Sequence, residues 1–262
     1  MPPPRYNQYK NWTGRAGWGR YTQGMGTYGQ YCPVARATEI LADRWTLLIV
    51  REMLAGVRHF NDLERGLPGI SRTLLVQRLR RLELVGVVER RTDAEGRTIE
   101  YRLTQAGEDL QRVVDVMGNW GVQWAFGDPR PEELDPGLLL WRMQRRINLE
   151  KLPPRRVVVE FEFQGTRTGS YWLILDRGEA SVCLQYPGFD IDLLVSADIA
   201  DFYRIWLGYM SLAQAMRQDL VSIDGTPALV RSFPKWLALS PFAPAVRSAS
   251  SHKLTTTTDT SP

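Results

Sequence analysis

Two cysteines and two histidines are all that 262 residues contain of the residue types that most often bind metals or carry nucleophilic chemistry. Cys32 and Cys183 cannot build a disulfide framework, and such sparse use suits a reducing compartment. Of the histidines, His252 lies near the end of the chain and His59 stands alone. No metal-ligand cluster, glycine-rich phosphate loop or nucleophile–base–acid set occurs, so neither catalysis nor a bound cofactor is expected. No run of about 18 apolar residues is present, which excludes a transmembrane helix. The N-terminus carries scattered basic residues without an apolar segment behind them, so no secretory signal is expected. These absences point to a soluble cytoplasmic protein that acts by binding.

What is present is globular: 44% apolar and 24% charged residues, in a length that suits two domains. The net charge of +4 is unevenly spread. Residues 1–30 hold four basic residues and no acid, residues 31–126 carry a net +1, and residues 127–262 a net −1. The surplus in the front half favours a polyanionic partner. Residues 1–30 mix Gly, Tyr, Trp and Arg without a period and read as a disordered tail. Their aromatics could stack on nucleic acid, and a translation start at Met25 rather than Met1 is the alternative.

The informative stretch is residues 60–103. Asn61 with Glu64 three residues on predicts a capping box for a short helix, which Leu67-Pro68-Gly69 stops. Ser71 is a good N-cap for a second helix. On that helix Leu74, Leu75, Leu79 and Leu82 share one face. Thr73, Val76, Gln77 and Arg80 fall opposite, flanked by Arg72 and Arg81, while Arg78 leans toward the leucines and should be paired. Two strands follow, over residues 87–92 and 98–103, joined by a turn at residues 93–96, with Arg90, Arg91 and Arg97 at or near the tip. Residues 56–59 can supply a third short strand. Helix, turn, helix and basic hairpin make a winged helix-turn-helix, whose second helix fits a major groove and whose hairpin reaches the backbone beside it.

Upstream, residues 33–42 and 45–55 predict two helices, the second with Trp45, Leu48, Ile49 and Met53 as core. Cys32-Pro-Val-Ala, Glu39 to Ile49, His59-Phe-Asn-Asp-Leu and Leu67-Pro-Gly-Ile-Ser together resemble the HxlR-type family of bacterial transcriptional regulators, over about residues 28–124. The resemblance implies a homodimer on double-stranded DNA. In that family the flanking helices form the dimer, and the element matching them here is a long helix from Thr104 to Trp124 with an apolar stripe of Leu110, Val113, Val114, Met117, Trp120 and Trp124. Two copies would set two recognition helices about one DNA turn, roughly 34 Å, apart. The expected DNA-contacting set is Ser71, Arg72, Thr73, Gln77 and Arg80 in the groove, with Arg58, Asn61, Arg81, Arg91 and Arg97 on the backbone. The resemblance also implies a sensing role for a cysteine at position 32, which a helix N-terminus can activate.

Residues 127–137 are a linker by composition, and a different domain follows at 138–245. After a helix over 138–149, Val157, Val159, Phe161 and Phe163 alternate with Glu160 and Glu162, as in a half-buried antiparallel strand. Further strands are expected over 170–176, 180–185, 190–196 and 221–223, and helices over 199–207, 212–219 and 227–237. Strands followed by helices give an α+β sandwich. Asp192-Leu-Leu-Val-Ser-Ala-Asp198, Ile205-Trp-Leu-Gly208, Leu220 to Gly225 and Phe233-Pro-Lys-Trp236 carry a resemblance to the sterol carrier protein fold. That resemblance implies an apolar effector between sheet and helices, with Trp141, Trp172, Phe189, Trp206 and Tyr209 as candidate lining. Residues 246–262 read as a disordered tail.

The fold class expected is therefore α+β: a winged helix-turn-helix domain at 31–126 and a smaller sterol carrier protein-like sandwich. The function expected is a dimeric, operator-binding regulator under an apolar effector. Two other readings stand beside it: a redox or electrophile sensor acting through Cys32, and a lipid or small-molecule carrier that uses the winged domain only to dimerise.

Overall fold

The computed structural model describes residues 27–176 and 178–256. Most of the N-terminal tail, and with it the choice between Met1 and Met25, lies outside them. The chain divides into two compact units between Asp115 and Val116.

In the first unit, α1 (Pro33–Leu41) starts on a proline, whose fixed φ suits a first helical turn. α2 (Thr46–Leu54) follows a turn in which Trp45 takes φ of 80°. A left-handed conformation costs a non-glycine residue roughly 1–2 kcal/mol. Trp45 stands outside the helix as its N-cap, and the buried residues of α2 are Thr46, Ile49, Val50, Glu52 and Met53. Leu48, expected in the core, is instead two-fifths exposed because it falls opposite their face, and Val50 takes its place. α3 (Phe60–Gly66) begins at His59 with no side-chain cap. The expected Asn61 capping box is therefore absent; the helix starts before Asn61 and puts it within the first turn. α4 (Arg72–Leu84) is capped by the Ser71 hydroxyl, which accepts from the Leu74 N–H at 3.2 Å. Leu75, Leu79 and Leu82 bury against Ile49, Val50, Leu63, Leu67 and Ile70 to form the core.

The wing is a two-stranded antiparallel ribbon, β1 (Val88–Thr92) and β2 (Thr98–Leu103), with an irregularity between Arg91 and Thr92. Residues 56–59 do not form the expected third strand. One backbone bond, from the Tyr101 N–H to the Arg58 carbonyl at 2.8 Å, ties them to β2. The helix expected from Thr104 to Trp124 is in two pieces, α5 (Gln105–Glu108) and α6 (Gln111–Trp124). The break lies just past Gly107, which presses against the Val87 carbonyl and the Leu103 side chain. The Leu110 N–H closes a tight turn onto the Gly107 carbonyl before α6 begins.

In the second unit, the expected linker is partly structured: Leu134 is buried in the core, and Asp135 caps α7 (Pro136–Gln144) through the Leu138 N–H. The sheet holds β3 (Val157–Gln164), β4 (Gly169–Asp176), β5 (Glu179–Cys183), β6 (Leu193–Asp198) and β7 (Val221–Gly225) in the order β5-β4-β3-β6-β7. β3 is antiparallel to β4 but parallel to β6. It is thus the central strand of a mixed sheet rather than a member of an antiparallel one. α8 (Ile199–Leu207), α9 (Leu212–Arg217) and α10 (Pro227–Trp236) complete the mixed α/β unit. Phe161, Phe163, Phe202, Phe233 and Trp236 fill its core, with ring centroids 5.4–6.2 Å apart between neighbours. The tail expected to be disordered from residue 246 is helical as far as Thr256, in α11 (Ala243–Thr256), with Val246 buried.

The closeness of Gly107 to Val87 gives a direct test of packing. A Cβ at 107 would overlap the Val87 carbonyl oxygen, a backbone atom with little room to move. Gly107→Ala should therefore cost about 1–3 kcal/mol of stability, read as a lowered unfolding midpoint by circular dichroism. An unchanged midpoint would mean that the α5 turn yields freely.

Candidate nucleic-acid interface

The helix-turn-helix is built so that α4 has a tied back and an open front. Behind it, the Asp43 carboxylate bridges Arg78, at 3.4 Å, and Arg81. Arg78 Nε also donates to the Arg44 carbonyl at 3.1 Å, and Arg81 donates to the Glu39 carbonyl. Both arginines are largely covered. Arg81, expected on phosphate, is thus turned inward: its guanidinium is committed to the α1–α2 turn. Arg78 is paired and partly buried, facing the same turn.

The front of α4 is different. Ser71, Arg72, Thr73, Gln77 and Arg80 are all exposed, and Val76 is half-buried among them. Arg72 is held in place by α3: its guanidinium pairs with Glu64, donates to Asn61 Oδ1 at 3.2 Å, and lies 4.9 Å from the Phe60 ring centroid. Asn61 and Glu64, spaced three apart on α3, therefore grip the first residue of the next helix. The sequence signal was the charge pair eight residues apart across a tight turn, which sequence reasoning had assigned to capping.

The wing divides likewise. Arg91 is half exposed and only loosely paired, 3.9 Å from Glu89 and 3.8 Å from Glu100. Arg97 lies more open, yet is engaged by Asp93 at 2.8 Å and Glu95 at 3.1 Å. Arg58 is exposed beside β2, and His59 Nδ1 sits 2.9 Å from the Ile99 carbonyl, which assigns that histidine a structural place. The acids of this surface are drawn toward their arginines. The hydrogen bond from Arg102 lowers the Glu100 pKa below its ordinary value, opposed by desolvation. At the tip, desolvation pushes the Asp93 carboxyl up. Hydrogen bonds from the Arg97 N–H (2.7 Å), the Arg97 guanidinium and the Glu95 N–H (3.1 Å) outweigh it and hold the group below its ordinary value.

The remaining expected residues lie elsewhere. Cys32 is the N-cap of α1, half-buried, with no cap bond from its side chain. Leu110, just before α6, and Val114 on it turn into the first core, whereas Val113, Val116, Met117, Trp120 and Trp124 are exposed. The five candidate ligand residues are not gathered in one place. Trp206 is part of the core between sheet and helices, and Trp141 is buried on α7 with Arg145 over its ring at 3.9 Å. Trp172 lies on the other side of the sheet, because β4 turns Leu173 and Leu175 to the core and the alternate residues Trp172 and Ile174 away. Phe189 and Tyr209 are more exposed. Among the described residues no group of three or more His, Cys, Asp or Glu could hold a metal ion, and no helix is long and apolar enough to cross a membrane.

The HxlR-like helix-turn-helix family matches residues 40–128. The HTH-type transcriptional regulator YvaP of Bacillus subtilis is 38% identical over 97 residues, covering 36% of this chain and 90% of YvaP. This chain belongs to the HxlR-type family. Rv3095 of Mycobacterium tuberculosis, also an HTH-type transcriptional regulator by name, is 47% identical over 102 residues, or 38% of this chain. The chain spans 61% of the length of that relative. Among solved structures, the reduced form of the transcriptional regulator YodB from Bacillus subtilis shares 32% identity over 37% of this chain and 96% of its own, at a TM-score of 0.33. The HxlR-type match thus covers the tied helix and the wing and ends at residue 128; α7 and the five-stranded sheet lie beyond it.

Asp93 supplies a pH test of the wing tip. Its folded pKa lies below the ordinary carboxylate value, so the order it confers is complete above the unfolded value and is lost as pH falls through the folded one. Amide exchange at Glu95 and Arg97, corrected for intrinsic rates, should be constant above neutral pH and accelerate only below about pH 4. Acceleration already near pH 6 would show that another group orders the tip.

Proposed function

We propose that this protein regulates transcription as a homodimer on a palindromic operator, with its second unit receiving an effector. The observation that carries the DNA reading is the division of α4 into a clamped back and an open polar front. A helix held this way offers Ser71, Arg72, Thr73, Gln77 and Arg80 to base edges in a major groove, where an arginine can pair bidentately with guanine. Arg72 enters already aimed, because Glu64 and Asn61 restrict its rotamers. Arg91 and Arg58 are the cations best placed for phosphates. Arg97 would have to leave Asp93 and Glu95 to join them, and Arg81 stays with Asp43.

Dimer formation is supported by the exposed side of α6. Val113, Val116, Met117, Trp120 and Trp124 form more apolar surface than a lone helix normally presents to water. α1 adds Val34, which is nearly three-quarters exposed. Paired through these faces, two copies would bring their α4 helices to successive major grooves on one side of the duplex. The sterol carrier protein-like reading of the second unit is supported by helices that share one core with a five-stranded sheet. On this reading it is a sensor. An effector acts only through different affinities for DNA-competent and incompetent states.

Base-reading and phosphate-binding residues should separate in one experiment. Arg72→Ala should weaken the operator complex by about 1–3 kcal/mol and relax the choice of base at one position in each half-site. Arg91→Ala should weaken all sequences alike and lower the salt slope by about one. Fluorescence anisotropy over a salt series checks both. Unchanged operator affinity in Arg72→Ala would remove that residue from the interface.

A further inference from the structure

The effector reading leaves the location of the site open. The space between sheet and helices is occupied by the protein's own aromatic side chains, with Phe161, Phe163, Phe202, Phe233 and Trp236 fully buried there. The opposite face of the sheet is different. The alternation of β3 places Val157, Val159, Phe161 and Phe163 in the core and therefore sends Glu160 and Glu162 outward. Glu160 stands directly across from Trp172 on β4, and Trp172 across from Cys183 on β5. Side chains so paired on one face have Cβ atoms about 4.5–5.5 Å apart. Tyr186 meets Trp172 edge-on at 5.9 Å, and its hydroxyl donates to the Phe189 carbonyl at 3.1 Å, so the segment after β5 folds over this face. Tyr186 and Phe189 on that segment expose apolar surface.

Charge gives the patch a sign. Among the described residues, Glu160 and Glu162 have no cationic partner, and Glu162 receives only the Ser196 hydroxyl, at 3.3 Å. The two arginines just before β3 are already engaged: Arg156 pairs with Asp176 at 3.0 Å and covers the Phe189 ring at 4.5 Å, and Arg155 pairs with Asp192 at 2.8 Å. The Trp172 indole N–H is buried without an acceptor among the described residues. Two uncompensated carboxylates beside aromatic rings repel anions and attract cations, and the rings add their own preference for positive charge. A small inorganic cation would gain little from the apolar surround, whereas an organic one gains on both counts.

We infer that the outer sheet face around Trp172, Tyr186, Glu160 and Glu162 is the ligand site of the second unit, and that it takes an apolar organic cation. This rests on the reading of that unit as a sensor and changes where and what it senses: the carboxylate face instead of the core, and a cation instead of a neutral lipid. Tyr186, edge-on to Trp172, is the movable wall, shifting to let a bulky ligand reach the ring.

Tetraphenylphosphonium and tetraphenylborate test this, having nearly the same size and shape and opposite charge. Calorimetric titration of the full-length protein should show saturable binding of the phosphonium and at least about tenfold weaker binding of the borate. Glu160→Gln should weaken the phosphonium by about tenfold and leave the borate unchanged or tighter. Tyr186→Ala, at an exposed position, should weaken the phosphonium too. Circular dichroism melts of each variant separate lost binding from lost structure. Equal or tighter borate binding, no binding of either ion, or a folded Glu160→Gln protein with unchanged phosphonium affinity would overturn the inference. DNA affinity measured without either ion is a separate readout: its loss of specificity would overturn the regulator reading while leaving the cation site standing.

Discussion

One carboxylate organises the first unit. Asp43 sits in the turn between α1 and α2 and binds Arg78 and Arg81, two arginines one helical turn apart on α4. Without that tie, α4 would present four arginines between residues 72 and 81 only to water or DNA, and its orientation would rest on leucines alone. With it, two of its cations point inward and fix the rotation of the helix, so that the others point outward together. In the same turn Arg78 donates to the Arg44 carbonyl, next to Trp45 in its left-handed conformation. Partly exposed ion pairs contribute little each, about 0–1 kcal/mol. Here the consequence is geometric: the pairs choose which face of an arginine-rich helix is free.

Positioning at the front of the helix follows the same logic. Arg72 is aimed by Glu64, Asn61 and the Phe60 ring from the preceding helix. A side chain already restrained gives up less freedom on meeting a base. The wing spends its charges differently: Arg97 is kept close to the hairpin by Asp93 and Glu95, which order the turn at the expense of its positive field. The second unit has a comparable division. Strand alternation commits one face of its sheet to a packed aromatic core and leaves carboxylates with Trp172 on the other, so that core and candidate ligand face are made by the same five strands.

The sequence was most legible where a pattern is local. Ser71 and the leucines of α4 carry their own signals, since a cap and a helical face need only neighbours within a few residues. The wing strands and Phe161 with its alternating neighbours are of the same kind. Long-range choices were harder. Arg81 looks like any surface arginine until Asp43, 38 residues away, is brought beside it. Leu48 is as apolar as Val50, and only the packing of α2 against the other helices decides which is buried. The break before α6 depends on Gly107 meeting Val87, a contact between elements. The five aromatic ligand candidates were grouped by residue type, whereas the sheet separates them by face.

The central claim is that an oriented α4 reads a DNA sequence, and it is tested most directly by the affinity of the purified full-length protein for the DNA upstream of its own coding region against a scrambled duplex of equal length, near 150 mM salt by fluorescence anisotropy. The account predicts a preference of about a thousandfold or more for the upstream DNA. Equal, salt-sensitive binding to both duplexes, or binding to neither, would contradict it.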